Sequence, residues 1–371
     1  MLFYEHQLAG RSAVAAGWLR RARRHLRDQP ECVEQCCLSW VDTERAQERG
    51  AFDEAMETAD RMGTTARRCG LACDNLLSVD LVTTDGSFVT CTPERHADLF
   101  WAVRGGGGNF GVVTSFVHRL HPVADVLGGP VFHPLDAEVP RRYRELVAGS
   151  DERLGALLVV GLGPLVPFLP EHWHGRPLCG VVTCWSGPEE DDEDIRAQLT
   201  ALGPVVGQHL GRIPYPLVNT LCDELVPAGL FHYWKGSFTR GLPNGALDAL
   251  VEYGPTTPSV QSVTVVFPLD GACHRVAPED TAFSYRDADY AIALSPTLTT
   301  REDCETHQGW VRAFHRALEP HAVGGGYVNF MDGDDQDRVR VNYRGNHARL
   351  VAVKRRYDPG NLFRLDHNIA P

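Results

Sequence analysis

An α+β architecture is predicted for this 371-residue sequence by three observations. Strand-like and helix-like segments are segregated along the chain, which suggests an α+β domain. An alternating hairpin pattern stands near residue 76, and a long middle segment, about 124–322, mixes short strands with amphipathic helices. The apolar fraction is 43%, enough for a real core and too much for a disordered chain. The length suits roughly two domains of about 150 residues each.

Residues 1–66 read as helices. Val14, Ala15, Trp18, Leu19, Ala22 and Leu26 recur at helical spacing. Arg20, Arg21, Arg23, Arg24 and Arg27 surround them as a solvated face, in a segment that is slightly acidic as a whole. A second helix carries Phe52, Ala55, Met56, Ala59 and Met62. From about Arg67 the pattern changes. Leu76 to Val82 alternates as a strand, Thr84-Asp85-Gly86 is a turn signal, and Ser87 to Cys91 returns as the second strand. Pro93 to Trp101 reads as a short helix opened by Thr92 and Pro93. A glycine run, 105–111, leads into a strand from Val112 to Leu120. In the middle segment, strands are expected at Leu157 to Leu162, Gly180 to Trp185 and Ser259 to Pro268. Helices are expected at Glu190 to Leu202 and Arg301 to Ala317, the first opened by the acidic run Glu189 to Asp194, which suits a helix N-terminus. The tail reads as a strand, Gly326 to Phe330, a solvated acidic turn, Asp332 to Asp337, and one helix from Arg338 to Tyr357.

Charge and composition exclude several classes. A net charge of -12 argues against a dedicated nucleic-acid binder. No apolar run approaches the roughly 18 residues of a membrane helix, and the opening MLFYEHQLAG lacks the pattern of a secretion signal. Eleven cysteines without regular spacing fit reduced thiols and a cytoplasmic location. Cys32, Cys36 and Cys37 have no second ligand cluster, and His172 and His174 have no nearby third ligand, so no metal site is expected.

The glycine run is the first feature with chemistry in it. Gly106 to Gly111 formally matches G-x-G-x-x-G, but a helix-like segment precedes it and a β-branched strand follows, the reverse of a dinucleotide fingerprint. Such a run serves either close backbone approach to a flat or phosphorylated ligand, with free N–H donors, or a tight loop crossing under another segment.

Longer strings decide between them. Gly70-Leu71-Ala72-Cys73-Asp74-Asn75, then Asp98-Leu99-Phe100-Trp101 running through Arg104 into the glycines, then Val112-Val113-Thr114-Ser115-Phe116 form one ordered group. Tyr327-Val328-Asn329-Phe330, Asn342-Tyr343-Arg344-Gly345-Asn346, Lys354, Tyr357-Asp358-Pro359 and Asn368-Ile369 form a second. Over about 67–371 the chain resembles the berberine-bridge-enzyme-like group of FAD-linked oxidases, whose flavin domain is of the vanillyl-alcohol-oxidase type. The stretch Gly50 to Met56 resembles part of a tetratricopeptide repeat. The oxidase resemblance implies FAD-dependent oxidation of a small organic substrate. It implies Tyr327 as the catalytic base. It also implies cofactor contacts from Gly105, Gly106, Gly107, Gly108, Asn109, Phe110, Gly111, Val112 and Val113, and from the amides of Asn329 and Asn368. Tyr233, Trp234 and Tyr285 are candidates for a substrate wall or for ordinary core.

The chain departs from that family at its start, where 1–66 stands in place of a glycine-rich flavin-binding subdomain, and at Asp366, where the family more often has asparagine. The expected organisation is a helical segment, 1–66; a remnant of the FAD domain, 67–123; an inserted antiparallel-sheet substrate domain, 124–322; and a C-terminal segment, 323–371, packed on the remnant. No histidine or cysteine matches the family's covalent linkage motifs, so flavin is expected to bind weakly and without a covalent bond. The alternatives are a flavin-free binding or isomerising protein and a non-functional fusion fragment. Residues 1–66 are a candidate face for a protein partner.

Overall fold

The computed structural model of the chain describes residues 65–218, 220–221, 230–298, 304–364 and 367–371. The helices expected before residue 65, the Cys32, Cys36 and Cys37 group and the tetratricopeptide-like stretch lie outside the described residues.

A small antiparallel sheet has the order β2–β1–β3, from β1 (Leu76–Val82), β2 (Phe88–Cys91) and β3 (Val112–His118). Val79 faces Cys91 and Leu81 faces Val89, so alternate residues bury while their neighbours do not. The hairpin closes where Gly86, at φ 80, donates to the Thr83 carbonyl. Helix α1 (Ala97–Val103) begins later than Thr92-Pro93 suggests. The Thr92 hydroxyl accepts from the Glu94 and Arg95 amides, a local turn that competes with helix, and His96 stands in the left-handed region at φ 51. Leu99, Phe100 and Trp101 of α1 pack with Leu81, Phe110, Tyr343 and Leu350.

The large sheet has eight strands, all antiparallel. They are β4 (Asp125–Pro134), β5 (Leu154–Leu162), β6 (Pro177–Trp185), β7 (Gly207–Gln208), β8 (Gly211–Pro214), β10 (Lys235–Thr239), β11 (Val263–Pro268) and β12 (Tyr290–Ser295). The order is β10–β12–β11–β5–β6–β4–β7, with β8 also on β4. A separate pair joins β9 (Phe231–His232) to β13 (Thr297–Leu298). Four helices cover one face: α2 (Glu138–Gly149), α3 (Asp192–Thr200), α5 (Asn244–Tyr253) and α6 (Cys304–Leu318), whose Tyr143, Leu199, Leu247 and Phe314 meet Leu158, Val181 and Ile292. A short helix, α4 (Tyr215–Val218), follows β8. The opposite face carries Leu157, Phe238, Phe267 and Ala293, and packs on Tyr285 and Phe330. No helix among the described residues is long and apolar enough to cross a membrane.

The tail corrects three expectations. Gly326 to Phe330 is not a strand: Tyr327 is extended and Val328–Phe330 is a 3-10 turn. The single helix expected from Arg338 is two, α7 (Val339–Tyr343) and α8 (His347–Tyr357), because Arg344 takes φ 45 between them. The acidic run after Met331 is no solvated turn; Gly333–Arg338 is a 3-10 helix capped by the Asp332 carboxylate, with Asp335 buried.

Candidate functional site

Tyr327 is set in place by the three glycines before it. Gly324 and Gly325 hold φ of 83 and 53, a region that favours glycine. Gly326 donates its N–H to Asn342 Oδ1 at 2.9 Å. A Cβ on Gly326 would lie 2.5 Å from the Gly236 carbonyl oxygen of β10. A Cβ on Gly325 would collide with the Tyr285 ring, which stacks on Phe238 at 4.6 Å and lies under the Arg344 guanidinium. That ring has nowhere to go. Gly325→Ala is therefore expected to cost about 1–3 kcal/mol by overpacking, read as a lowered midpoint in thermal unfolding; an unchanged midpoint would mean the seat is loose.

The glycine run meets this seat from the other side. Gly105, at φ 116, presses on Phe283, and a Cβ there would lie 2.7 Å from the Phe283 nitrogen. Ala282 N–H donates to the Arg104 carbonyl at 3.0 Å. Gly105, Gly326 and Val328 line one small cavity with Phe238, Phe283 and Asn342. The Phe283 ring stands edge-on to Tyr327 at 6.2 Å.

The remaining loop residues divide by role. Gly107 and Gly108 are exposed with open backbone. Gly106 is buried beneath Phe110 and Leu350, and Phe110 itself is core. Gly111 lies against Leu81 and Val82, and Val112 and Val113 pair with Val82 and Leu81. The Asn109 amide is used inside the protein. Its Nδ2 donates to the carbonyls of Gly106 and His367, and its Oδ1 accepts from Ile369 N–H. Lys354 Nζ, fully buried, donates to the Asn109 carbonyl at 2.8 Å, the Asp358 carboxylate at 2.6 Å and the Phe363 carbonyl at 2.5 Å. These bonds fasten the glycine loop to the C-terminal segment.

Asn329 is exposed, and its Nδ2 donates to Tyr327 Oη at 3.3 Å. Asn368 exchanges two backbone bonds of 2.9 Å with the Gln336 side chain, while its own Oδ1 is buried with no protein partner. Burial pushes the Tyr327 hydroxyl well above the ordinary tyrosine range, and the Cys73 thiol adds to the rise. Tyr327 is thus a neutral phenol at neutral pH.

An ion-pair group that sequence spacing did not reveal anchors the segment after Tyr327. Lys235 Nζ lies 2.7 Å from Asp334 and 2.8 Å from Asp335. Tyr233 Oη donates to Asp334 at 2.7 Å, and Arg312 reaches both Tyr233 and Asp334 at 3.1 Å. Tyr233 thereby belongs to the helix-covered face, whereas Trp234 stacks on Phe330 on the other. The two cannot form one wall. Tyr285 is core, its hydroxyl donating to the Val341 carbonyl at 3.0 Å. Burial opposes ionisation of Asp334, but hydrogen bonds from Lys235, Tyr233 and Arg312 outweigh it and hold the carboxyl at about 2. A depressed carboxyl stabilises the fold above its unfolded value, near 3.9. That contribution is lost as pH falls toward 2. Near-ultraviolet circular dichroism should accordingly report loosening between about pH 4 and pH 2, and Asp334→Asn should flatten that transition.

The open backbone at Gly107 and Gly108, the Asn329 amide and the unpartnered Asn368 Oδ1 fit the polar edge of a flavin ring. For a pyrophosphate the glycine loop offers open backbone at two positions, Gly107 and Gly108, while Gly106 is buried and Gly105 presses on Phe283.

Comparisons with known proteins agree with the fold. The family model "Berberine and berberine like" matches residues 326–370. An FAD-linked oxidoreductase of Dictyostelium discoideum is 27% identical over 84% of this chain and 66% of its own length. The (R)-6-hydroxynicotine oxidase of Paenarthrobacter nicotinovorans is 28% identical over 84% of this chain and 68% of its own. The chain thus spans about two thirds of the length of these curated relatives. Among solved structures, the Physcomitrella patens BBE-like 1 enzyme superposes with a TM-score of 0.70 at 20% identity, over 83% of this chain and 67% of that one.

Proposed function

We propose that this chain, a relative of the berberine-bridge-enzyme-like FAD-linked oxidoreductases, oxidises a small organic substrate through a reversibly held FAD, with dioxygen as the electron acceptor. The observation that carries the reading is the meeting of the glycine loop and the tail, where Gly105 presses on Phe283, whose ring stands edge-on to Tyr327. When bound, FAD supplies the hydride acceptor. The chain's own residues do the rest. Gly107, Gly108, Asn329 and Asn368 would orient the flavin's polar edge. Tyr327 Oη would hold the substrate hydroxyl and, in the fraction of molecules whose phenol has lost its proton to solvent, take the substrate's proton; the raised pKa keeps that fraction small at neutral pH. The aromatic floor of Phe238, Phe283 and Phe330 excludes water beneath it. Seven cysteines among the described residues are free thiols, which supports a reducing, cytoplasmic setting.

The relatives' names set the panel for the test: hydroxylated pyridines and short oligosaccharides. Peroxide formation should occur only when FAD is added to the purified chain. Saturable flavin binding with no peroxide across the panel would favour a binding or isomerising role instead.

A further inference from the structure

Tyr290 opens β12 and joins the helix-covered core with Tyr143 and Leu242. It is 4% exposed, yet its hydroxyl has no hydrogen-bond partner among the described residues. Tyr143, by contrast, donates to the Ala156 carbonyl at 2.8 Å. A buried hydroxyl normally has a partner, in the protein or in something bound to it. Tyr290 lines a cavity of about 380 Å³, within the size range of small-molecule sites. The other walls are Arg144, Glu145 and Ala148 of α2, Gly241 after β10, Asp270 and Asp289.

The charges around that hydroxyl lean negative. Arg67 binds both oxygens of Asp270, at 2.6 and 2.9 Å. Arg144 is turned aside, its Nη1 donating to the Leu242 carbonyl and to Asn244 Oδ1, both at 2.9 Å. Asp289 accepts from Gly241 N–H. His274 Nε2 stands 3.7 Å from the Asp289 carboxylate and is bonded to the Ala288 carbonyl at 2.9 Å instead. Glu145 has no ion-pair or hydrogen-bond partner among the described residues. Three carboxylates, Glu145, Asp270 and Asp289, against two guanidiniums, Arg67 and Arg144, leave one negative charge in excess. No group of three or more metal-type ligands stands among the described residues, so the excess charge and the spare hydroxyl suit an organic cation.

We propose that this cavity is a second small-molecule site, which takes a primary amine carried on a small apolar body. The ammonium donates to the Asp289 and Glu145 carboxylates, as charge-assisted hydrogen bonds, and Tyr290 Oη accepts a third N–H. The apolar body lies against Ala148 and the stem of Arg144. Tyr290 belongs to the helix-covered face of the large sheet, whereas the Tyr327 seat packs on the opposite face through Phe330. The proposal therefore does not rest on the flavin reading.

The test titrates the full chain, without flavin, with benzylamine, benzyl alcohol and benzoate, read by saturation-transfer NMR. Saturable binding of benzylamine is expected, with the alcohol and the carboxylate much weaker. Asp289→Asn keeps an acceptor for Gly241 N–H and removes the charge; it should weaken benzylamine about 10- to 100-fold. Tyr290→Phe should weaken it about 3- to 10-fold and leave the thermal midpoint unlowered, since the hydroxyl holds nothing in the fold. Glu145→Gln, on the exposed face of α2, gives the same reading if Asp289→Asn does not fold. Benzylamine affinity unchanged in these variants would place the binding elsewhere and overturn the proposal. Benzyl alcohol binding as tightly as the amine, or no saturable binding of benzylamine at millimolar concentration to folded protein, would also overturn it.

Discussion

Lys354→Met is expected to lower the free energy of unfolding by about 3–5 kcal/mol, the usual cost of removing one partner from a buried ion pair. Lys354 and Asp358 are both fully buried. The substitution leaves the Asn109 and Phe363 carbonyls without their donor, and leaves Asp358 with only the Leu362 and Phe363 amides. The loss falls on the glycine loop, because the Asn109 carbonyl is what the ammonium holds. Urea unfolding gives the stability change. Amide exchange at Gly106 to Phe110 should speed up well before global unfolding. The double variant Lys354→Met/Asp358→Leu should recover part of the loss, since it leaves no uncompensated charge. A change below about 1 kcal/mol would place the pair among weakly contributing surface-like bridges.

Tyr327→Phe is expected to reduce FAD-dependent turnover by about 100- to 10,000-fold, the range associated with a positioned acid–base group. Stability should change little, because the hydroxyl's contact is with the exposed amide of Asn329. The raised Tyr327 hydroxyl fixes the direction of the pH profile: base form is scarce at neutral pH, so wild-type turnover should climb from pH 6 toward pH 9. That climb should vanish in the phenylalanine variant. Equal turnover in the two proteins would remove Tyr327 from the chemistry.

The sequence was most readable where structure is local. Leu76 to Cys91 alternates around a turn signal, and it folds as that hairpin. Tyr290 to Ser295 was unreadable by alternation because β12 is buried on both faces, so its apolar run has no period. Pro140 masks α2, yet it sits in the first turn, where proline is tolerated. Gly326 to Phe330 alternates like a strand, but three glycines turn the chain so that it crosses Gly236 rather than pairing with it. The tail motifs led to Tyr327, Asn329 and Asn368. What they could not convey is the company these residues keep. Lys235 and Arg312 lie far along the chain from Asp334, and the Phe283 floor comes from Thr281-Ala282-Phe283, a string that resembles the family but carries no sign of which residue it packs against. The three glycines before Tyr327 are the local sequence signal for the seat, since Gly324 and Gly325 take positive φ and Gly326 passes close to Gly236.

The most direct measurement is a fluorescence titration of FAD with the purified chain, followed by gel filtration. A pyrophosphate is held by several charge-assisted hydrogen bonds at about 1.5–3 kcal/mol each, of which the open backbone at Gly107 and Gly108 could supply few, so affinity should be thousands-fold or more below that of a complete site. Saturable quenching that gel filtration reverses, weakened further by Asn368→Ala, is the expected result. No saturable quenching at millimolar FAD, or a yellow protein whose flavin survives denaturation and gel filtration, would contradict it.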